Sequence, residues 1–122
     1  MTIQHLIIST LLLGATLQFN PAGHAQTDPM ASRRALNLAR DTAVQINGGL
    51  SNYRPARCMY QSIAKNPCLA HRDANGFIFQ FPGGSPGWQE TGVAPGLVTV
   101  LKISADGRSV TKAFHNGPLP KN

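Results

Sequence analysis

Apolar residues recur at helical spacing between residues 31 and 46. At about 100° per residue, one side of this segment carries mostly small residues. These are Ala31, Ala35, Leu38, Ala39, Thr42, Ala43 and Ile46. Asp28 suits an N-cap and Pro29 the first helical position, whereas Gly48 and Gly49 suit a helix end, because glycine adopts left-handed backbone angles without a Cβ clash. The pattern predicts an amphipathic helix that can pack closely on a sheet.

Strand patterns follow the helix. Four segments are predicted as strands, at residues 56–60, 77–81, 97–104 and 109–115. The second places three phenylalanines on one side, and the last two are joined by a turn at Asp106-Gly107. Residues 61–75 are expected to form a long connection, and a flexible tail is expected from about residue 116. The predicted fold is α+β, with the N-terminal helix packed on an antiparallel sheet of about four strands in two layers.

The first residues have the pattern of a secretory signal. Residues 6–17 are largely apolar, but the run is shorter than the roughly 20 residues of a membrane span. Gly23-His24-Ala25 resembles a signal peptidase site. We expect a cleaved signal peptide over residues 1–25, a single domain over residues 26–122, and a periplasmic or extracellular location. An uncleaved membrane anchor is the alternative.

Two cysteines, Cys58 and Cys68, are the only ones in the chain. In an exported chain their pairing is the ordinary outcome, and closing so short a loop stabilises the fold by roughly 2–3 kcal/mol. The spacing is not Cys-x-x-Cys, and no histidine pair at ligand spacing accompanies the cysteines. The sequence therefore predicts a structural disulfide, with no metal site and no cofactor.

The chain is basic, with 11 Lys and Arg against 5 Asp and Glu and a net charge of +6. All of these charges lie after Ala25, scattered rather than clustered. A solvated basic surface is the simpler interpretation. The charge also favours contact with an anionic surface, such as a polysaccharide, lipid headgroups, nucleic acid or an acidic protein. The expected partner is another exported protein or an anionic polymer.

Catalytic motifs are scarce in the sequence. A two-histidine site for phosphodiester cleavage would need His71 and His115 close together, with Lys65 or Lys112 beside them. Their spacing follows no known motif. Nucleophile-elbow, phosphate-loop and dinucleotide patterns do not occur. The sequence favours a non-catalytic protein, with a small basic hydrolase as an alternative.

The candidate binding residues are Trp88, in a glycine- and proline-rich loop, together with Tyr53, Arg54 and Arg57. An exposed tryptophan there could stack on a sugar or enter a partner pocket. The alternative is that Trp88 folds back as a lid over an edge of the sheet.

Three segments carry a resemblance: residues 37–40 (NLAR), 47–54 (NGGLSNYR) and 81–88 (FPGGSPGW). They resemble an uncharacterised family of small exported cyanobacterial proteins, which implies export and a single domain but supplies no catalytic residues. The order of elements is more weakly similar to PepSY and cystatin-like domains, which implies an inhibitory or binding role. The functional hypothesis is thus an exported binding or inhibitory module; the alternatives are a hydrolase, or an envelope component that binds an anionic polymer.

Overall fold

The computed structural model describes residues 28–119, together with Gly14. The signal peptide predicted over residues 1–25 lies outside the described residues apart from Gly14. One helix precedes five strands, and a short 3₁₀ helix separates the first two strands. In chain order the elements are α1 Ala31–Ile46, β1 Arg54–Pro55, the 3₁₀ helix Arg57–Tyr60, β2 Leu69–Asp73, β3 Gly76–Gly84, β4 Leu97–Ile103 and β5 Val110–Gly117.

The sheet is antiparallel throughout and is built around β3. On one side β3 pairs with β4, which in turn pairs with β5. On the other side, β1 pairs with the end of β3 and β2 pairs with its beginning. Helix α1 packs on one face of this sheet, so the predicted α+β architecture is confirmed, with five strands instead of about four.

The helix begins later than predicted. Its first residue is Ala31, and Met30 holds the N-cap position without a side-chain cap. Pro29 therefore lies in the turn before the helix. Asp28 still accepts a bond from an early backbone group, since Met30 N donates to Asp28 Oδ1 at 2.9 Å. At the other end Gly48 and Gly49 both have positive φ, and Gly49 N donates to Val44 O at 2.8 Å, which confirms the predicted stop.

The buried side of α1 is rotated from the predicted one. Leu36 is 4 % exposed, whereas Ile46 is 50 % exposed and Leu38 is only half-buried. The alanines at 31, 35, 39 and 43 are buried as expected. The 3₁₀ helix packs against α1, and Leu36 belongs to the same core cluster as Cys58 and Met59 of that helix.

The core lies between α1 and the sheet. Phe77, Phe79 and Phe81 are at most 3 % exposed, which confirms that they share the covered face. Across the ladder they pair with Ile103, Leu101 and Thr99 of β4, all fully buried. Alternation along each strand thus sends one set of side chains to the helix and the other set to the opposite face.

Two predictions between residues 56 and 75 are wrong. Residues 57–60 form a 3₁₀ helix instead of a strand; Cys58 and Met59 are both buried. Consecutive burial does not fit a strand with one covered face. The expected loop at 61–75 contains β2, which pairs with β3 through an irregularity between Leu69 and His71.

The turn between β4 and β5 packs against the start of the helix. Gly107 has φ +75°, and a Cβ at this residue would overlap the carbonyl oxygen of Ala31. Arg34 fixes the same contact, since its Nε and Nη2 donate to Asp106 O at 3.1 and 2.7 Å. Strand β5 then continues to Gly117, one residue beyond the predicted start of a tail at Asn116. Among the described residues, no helix is long and apolar enough to cross a membrane.

Candidate functional site

The disulfide between Cys58 and Cys68 is confirmed, with a Cα–Cα distance of 6.0 Å. It joins the 3₁₀ helix to the residue before β2. Asn66, only 8 % exposed, stabilises the enclosed loop from within. Its Nδ2 donates to Cys58 O at 2.6 Å and its Oδ1 accepts from Cys68 N at 2.8 Å. The 3₁₀ helix is therefore fixed covalently and by hydrogen bonds beside the edge of the sheet.

Trp88 lies against this edge and is buried, at 8 % exposure. Its indole Nε1 donates to the carbonyl oxygen of Arg54 in β1 at 2.9 Å, and its ring lies close to Gly84. The loop around it is ordered by its own hydrogen bonds, including Trp88 N to Ser85 O and Val93 N to Trp88 O. The ring is placed as the lid interpretation expects, folded over edge strand β1, whose outer backbone groups need covering.

A half-open cleft of about 360 Å³ separates the Trp88 loop from β1 and the 3₁₀ helix. We call it the Trp88 cleft. Its walls are Arg54, Pro55, Arg57, Tyr60, Pro86, Gly87, Trp88, Gln89 and Glu90. Trp88 forms a fixed wall of this cleft. Its exposure is too small for a ligand to stack on its ring in the way predicted from sequence.

Tyr53 does not belong to the cleft. It is 1 % exposed and lies over Gly83 on the covered face of the sheet. Burial raises the pKa of the Tyr53 phenol, and the nearby Thr99 hydroxyl opposes that effect. Within the described residues Tyr53 Oη has no hydrogen-bond partner, and Thr99 Oγ1 donates to Asn116 Oδ1 at 2.7 Å. Tyr53 is a core residue.

Arg54 and Arg57 both line the cleft, and both are exposed. Arg54 Nε donates to Leu50 O at 2.8 Å, which orients its guanidinium. Arg57 Nη2 lies 3.6 Å from Glu90 Oε1, and both side chains are about 60 % exposed. Exposed pairs of this kind contribute at most about 1 kcal/mol. A competing carboxylate can therefore replace Glu90.

Sequence reasoning missed the other polar walls of the cleft. Gln89 Oε1 accepts from Arg57 N at 3.0 Å and joins the Trp88 loop to the 3₁₀ helix. Tyr60 is 55 % exposed and lies under the guanidinium of Arg40, whose Cζ is 5.1 Å from the ring centroid. Tyr60 could not be assigned from sequence because a strand was predicted at its position. Glu90 could not be paired with Arg57 from sequence because the two residues belong to separate segments of the chain.

A larger groove of about 470 Å³ lies on the other side of Tyr60, along the first turns of α1. Its two cations are Arg33 and Arg40. Arg40 is already bound to Asp41 Oδ1 at 3.0 Å and to Asn37 Oδ1 at 3.1 Å. This groove therefore offers one exposed guanidinium where the Trp88 cleft offers two.

The two histidines lie far apart. His71 is in β2 and His115 in β5, with β3 and β4 between them. Three strand spacings amount to about 14 Å. Each imidazole has a local partner, with His71 Nε2 2.9 Å from Asp73 Oδ2 and His115 Nε2 3.1 Å from Pro118 O. The bond from His71 holds the pKa of Asp73 below its usual value.

No three His, Cys, Asp or Glu side chains come together as a possible metal site within the described part of the chain. Comparison with protein-family models, with curated proteins and with solved structures found no match. The resemblances drawn from the three sequence segments and from the order of elements stay predictions. The functional argument therefore depends on the geometry of the chain itself.

Proposed function

We propose that the chain is an exported, non-catalytic binding module, and that its Trp88 cleft holds an acidic side chain of a partner protein. The observation that carries the proposal is the pair of exposed arginines, Arg54 and Arg57, in a cleft that is also lined by a buried tryptophan. A rigid aromatic wall keeps the cleft open without a ligand, which lowers the ordering cost of binding.

The positive charge of Arg54 and Arg57 favours a partner that presents a carboxylate. The only carboxylate in the walls is Glu90, held weakly by Arg57 at 3.6 Å. A guanidinium fork binds a carboxylate through two parallel N–H···O bonds. A volume of about 360 Å³ accommodates a side chain or a short turn and is too small for a folded element.

The separation of His71 and His115 supports the non-catalytic proposal. General acid–base cleavage requires both groups within hydrogen-bond reach of one phosphate. A gap of about 14 Å across the sheet is too wide for that arrangement. Purified protein is expected to leave RNA intact; cleavage that is lost in both His71→Ala and His115→Ala would contradict this.

Binding is tested with an array of short acidic, neutral and basic peptides. Trp88 is the only tryptophan, so its fluorescence and its indole N–H resonance report occupancy of the cleft directly. We expect acidic peptides to shift both signals, and Arg54→Ala with Arg57→Ala to abolish the shift. The matched control is Arg33→Ala with Arg108→Ala, which removes the same charge outside the cleft. Equal losses in the two double variants would show that only net charge matters and would overturn the proposal.

Export is tested separately from binding. The chain is expected to leave the cytoplasm and to begin at Gln26 after cleavage following Ala25. Mass spectrometry of the exported fraction checks this. A chain retained with residues 1–25 attached would support the anchor alternative.

A further inference from the structure

The face of the sheet opposite α1 is open near the β4–β5 turn, whereas Val98, farther along the same face, is buried. Along β3 and β4, residues that alternate with the buried core point to this face. We call it the open face, and near the β4–β5 turn it presents His71, Ile78, Val100, Lys102, Lys112 and His115. Each of the six is half-buried or exposed. This surface combines two aliphatic side chains with two lysines and two histidines.

The register sets these groups in a row. His71 of β2 pairs with Ile78, Ile78 with Lys102, and Lys102 with Lys112 of β5. The row therefore crosses four strands and spans about 14 Å. Two residues before Lys102 in β4, Val100 pairs with His115. A row of this kind fits an extended ligand laid across the strands.

Lys102 and Lys112 are directly opposite each other, and like charges in that position destabilise a sheet. All five acids of the chain lie among the described residues, and four of them form ion pairs there. Neither lysine ammonium belongs to any of these four pairs. Asp73 lies on the same face and attracts Lys102 without forming an ion pair with it, and its carboxylate already accepts bonds from His71 Nε2 and Asn75 N. An anionic group between the two lysines would replace repulsion by attraction.

The character of the face narrows the class of anion. Single-stranded nucleic acid binds through aromatic rings with free faces. Phe114 is the aromatic residue beside this row, and the Lys112 ammonium lies over its ring, 4.8 Å from the centroid. A lipid surface requires protruding apolar side chains, whereas Ile78 and Val100 are half-buried within the face. A second copy of the chain would bring a further set of lysines to the interface.

We propose that the open face binds a linear acidic polysaccharide, whose carboxylate or sulfate groups lie on the Lys102–Lys112 pair. The role as an envelope component, predicted from net charge alone, thereby gains a location. This inference does not depend on the Trp88 cleft. The two surfaces lie about 20 Å apart along β3, from Ile78 to Gly84.

The experiment measures binding of the full chain to polygalacturonate and to dextran sulfate, with neutral dextran as the blank. Lys102→Gln and Lys112→Gln are each expected to weaken binding by about fivefold, and the double variant to lower the salt dependence. Arg33→Gln and Arg108→Gln are the charge-matched controls and should change affinity by less than about twofold. Equal weakening in lysine and arginine variants would overturn the proposal.

Stability provides a second readout on the same variants. Without ligand, Lys102→Gln should leave the urea midpoint unchanged or raise it, because the cross-strand repulsion is removed. Weaker binding together with an equal or higher midpoint would show that Lys102 contacts the ligand and is not needed for folding. A lower midpoint would indicate a structural role and overturn the proposal. Lysine-dependent binding of single-stranded DNA or anionic vesicles in place of polysaccharide would also overturn it. Arg54→Ala with Arg57→Ala should leave polysaccharide binding intact, so the two proposals fail separately.

Discussion

The ring of Tyr53 lies directly on the backbone of Gly83, so close that a Cβ on Gly83 would overlap Cε2, Cζ and Oη of the tyrosine. Gly83 is a strand residue, and Tyr53 is 1 % exposed, so the ring has no free space into which to move. This contact sets the distance between the chain leaving α1 and the end of β3.

Gly83→Ala is therefore expected to destabilise the protein by about 1–3 kcal/mol, the usual cost of overpacking a filled core. Urea unfolding followed by far-UV circular dichroism measures it. Gly96→Ala is the matched control, because no atom lies within 4 Å of a Cβ at that residue. The control should change stability by less than about 0.5 kcal/mol. Equal changes in the free energy of unfolding for the two variants would show that the Tyr53 ring can move away from the added methyl group.

Removing the Tyr53 hydroxyl is expected to raise the free energy of unfolding or leave it unchanged. The Oη atom is buried without a hydrogen-bond partner among the described residues, and a buried unsatisfied group lowers stability by about 1–3 kcal/mol relative to an apolar replacement of the same shape. Tyr53→Phe is expected to match or exceed the wild type in the free energy of unfolding. The same urea titration checks this, and a loss above about 1 kcal/mol would indicate that the hydroxyl has a partner.

Much of the fold could be predicted because its signals are local. The double glycine after residue 47 ends α1, and the alternation of Phe77, Phe79 and Phe81 defines the covered face of β3. The turn at Asp106-Gly107 between β4 and β5 needs a positive φ angle, which Gly107 adopts and which the residue types Asp-Gly predict. These features need no distant partner to be recognised.

The missed elements depend on distant contacts. Strand β2 reads Leu-Ala-His-Arg-Asp and has no buried residue, so its hydrophobic pattern is absent. It forms because β3 offers an edge and because the disulfide holds Cys68 beside it. Likewise the 3₁₀ helix buries both Cys58 and Met59, a pattern that depends on α1 on one side and the bridge on the other.

The candidate site could be predicted only where its residues are close together in the sequence. Arg54 and Arg57 are close in sequence to the edge of the sheet, and both line the cleft. Glu90, the partner of Arg57, is contributed by a distant loop 33 residues after it, and that loop is held by the hydrogen bond of Trp88 Nε1 to Arg54 O. Tyr53 could not be told from a surface aromatic until Gly83 was found beneath it.

Acid should weaken the link between the start of α1 and the rest of the fold. The bond from Arg34 Nη2 to Asp28 Oδ2, at 2.6 Å, and the Met30 N–H keep the pKa of Asp28 below its usual value. A group with a lowered folded-state pKa stabilises the fold above its unfolded pKa of about 3.9 and loses that contribution as pH falls through the folded pKa. The pKa of Asp106 is lowered similarly by Ser104 Oγ and Arg108 N.

Asp28→Asn tests this effect. The variant should be less stable than the wild type at about pH 6, and the difference should be smaller at about pH 2, because the carboxylate loses its charge as pH falls through its lowered folded-state pKa. Urea titrations at the two pH values measure the two differences. A difference that persists at low pH would show that the contact does not depend on ionisation.

The rotated face of α1 gives the last prediction. Leu36 belongs to the core cluster at 4 % exposure, although Ile46 and Leu38 were expected on the covered side. Leu36→Ala should therefore lower the free energy of unfolding by about 2–5 kcal/mol through lost burial and a residual cavity. Ile46→Ala, in the last turn of the same helix and 50 % exposed, should change it by less than about 0.5 kcal/mol. If Ile46→Ala were the more damaging of the two, α1 would pack through the side predicted from sequence, and the contact with the 3₁₀ helix would not form in solution.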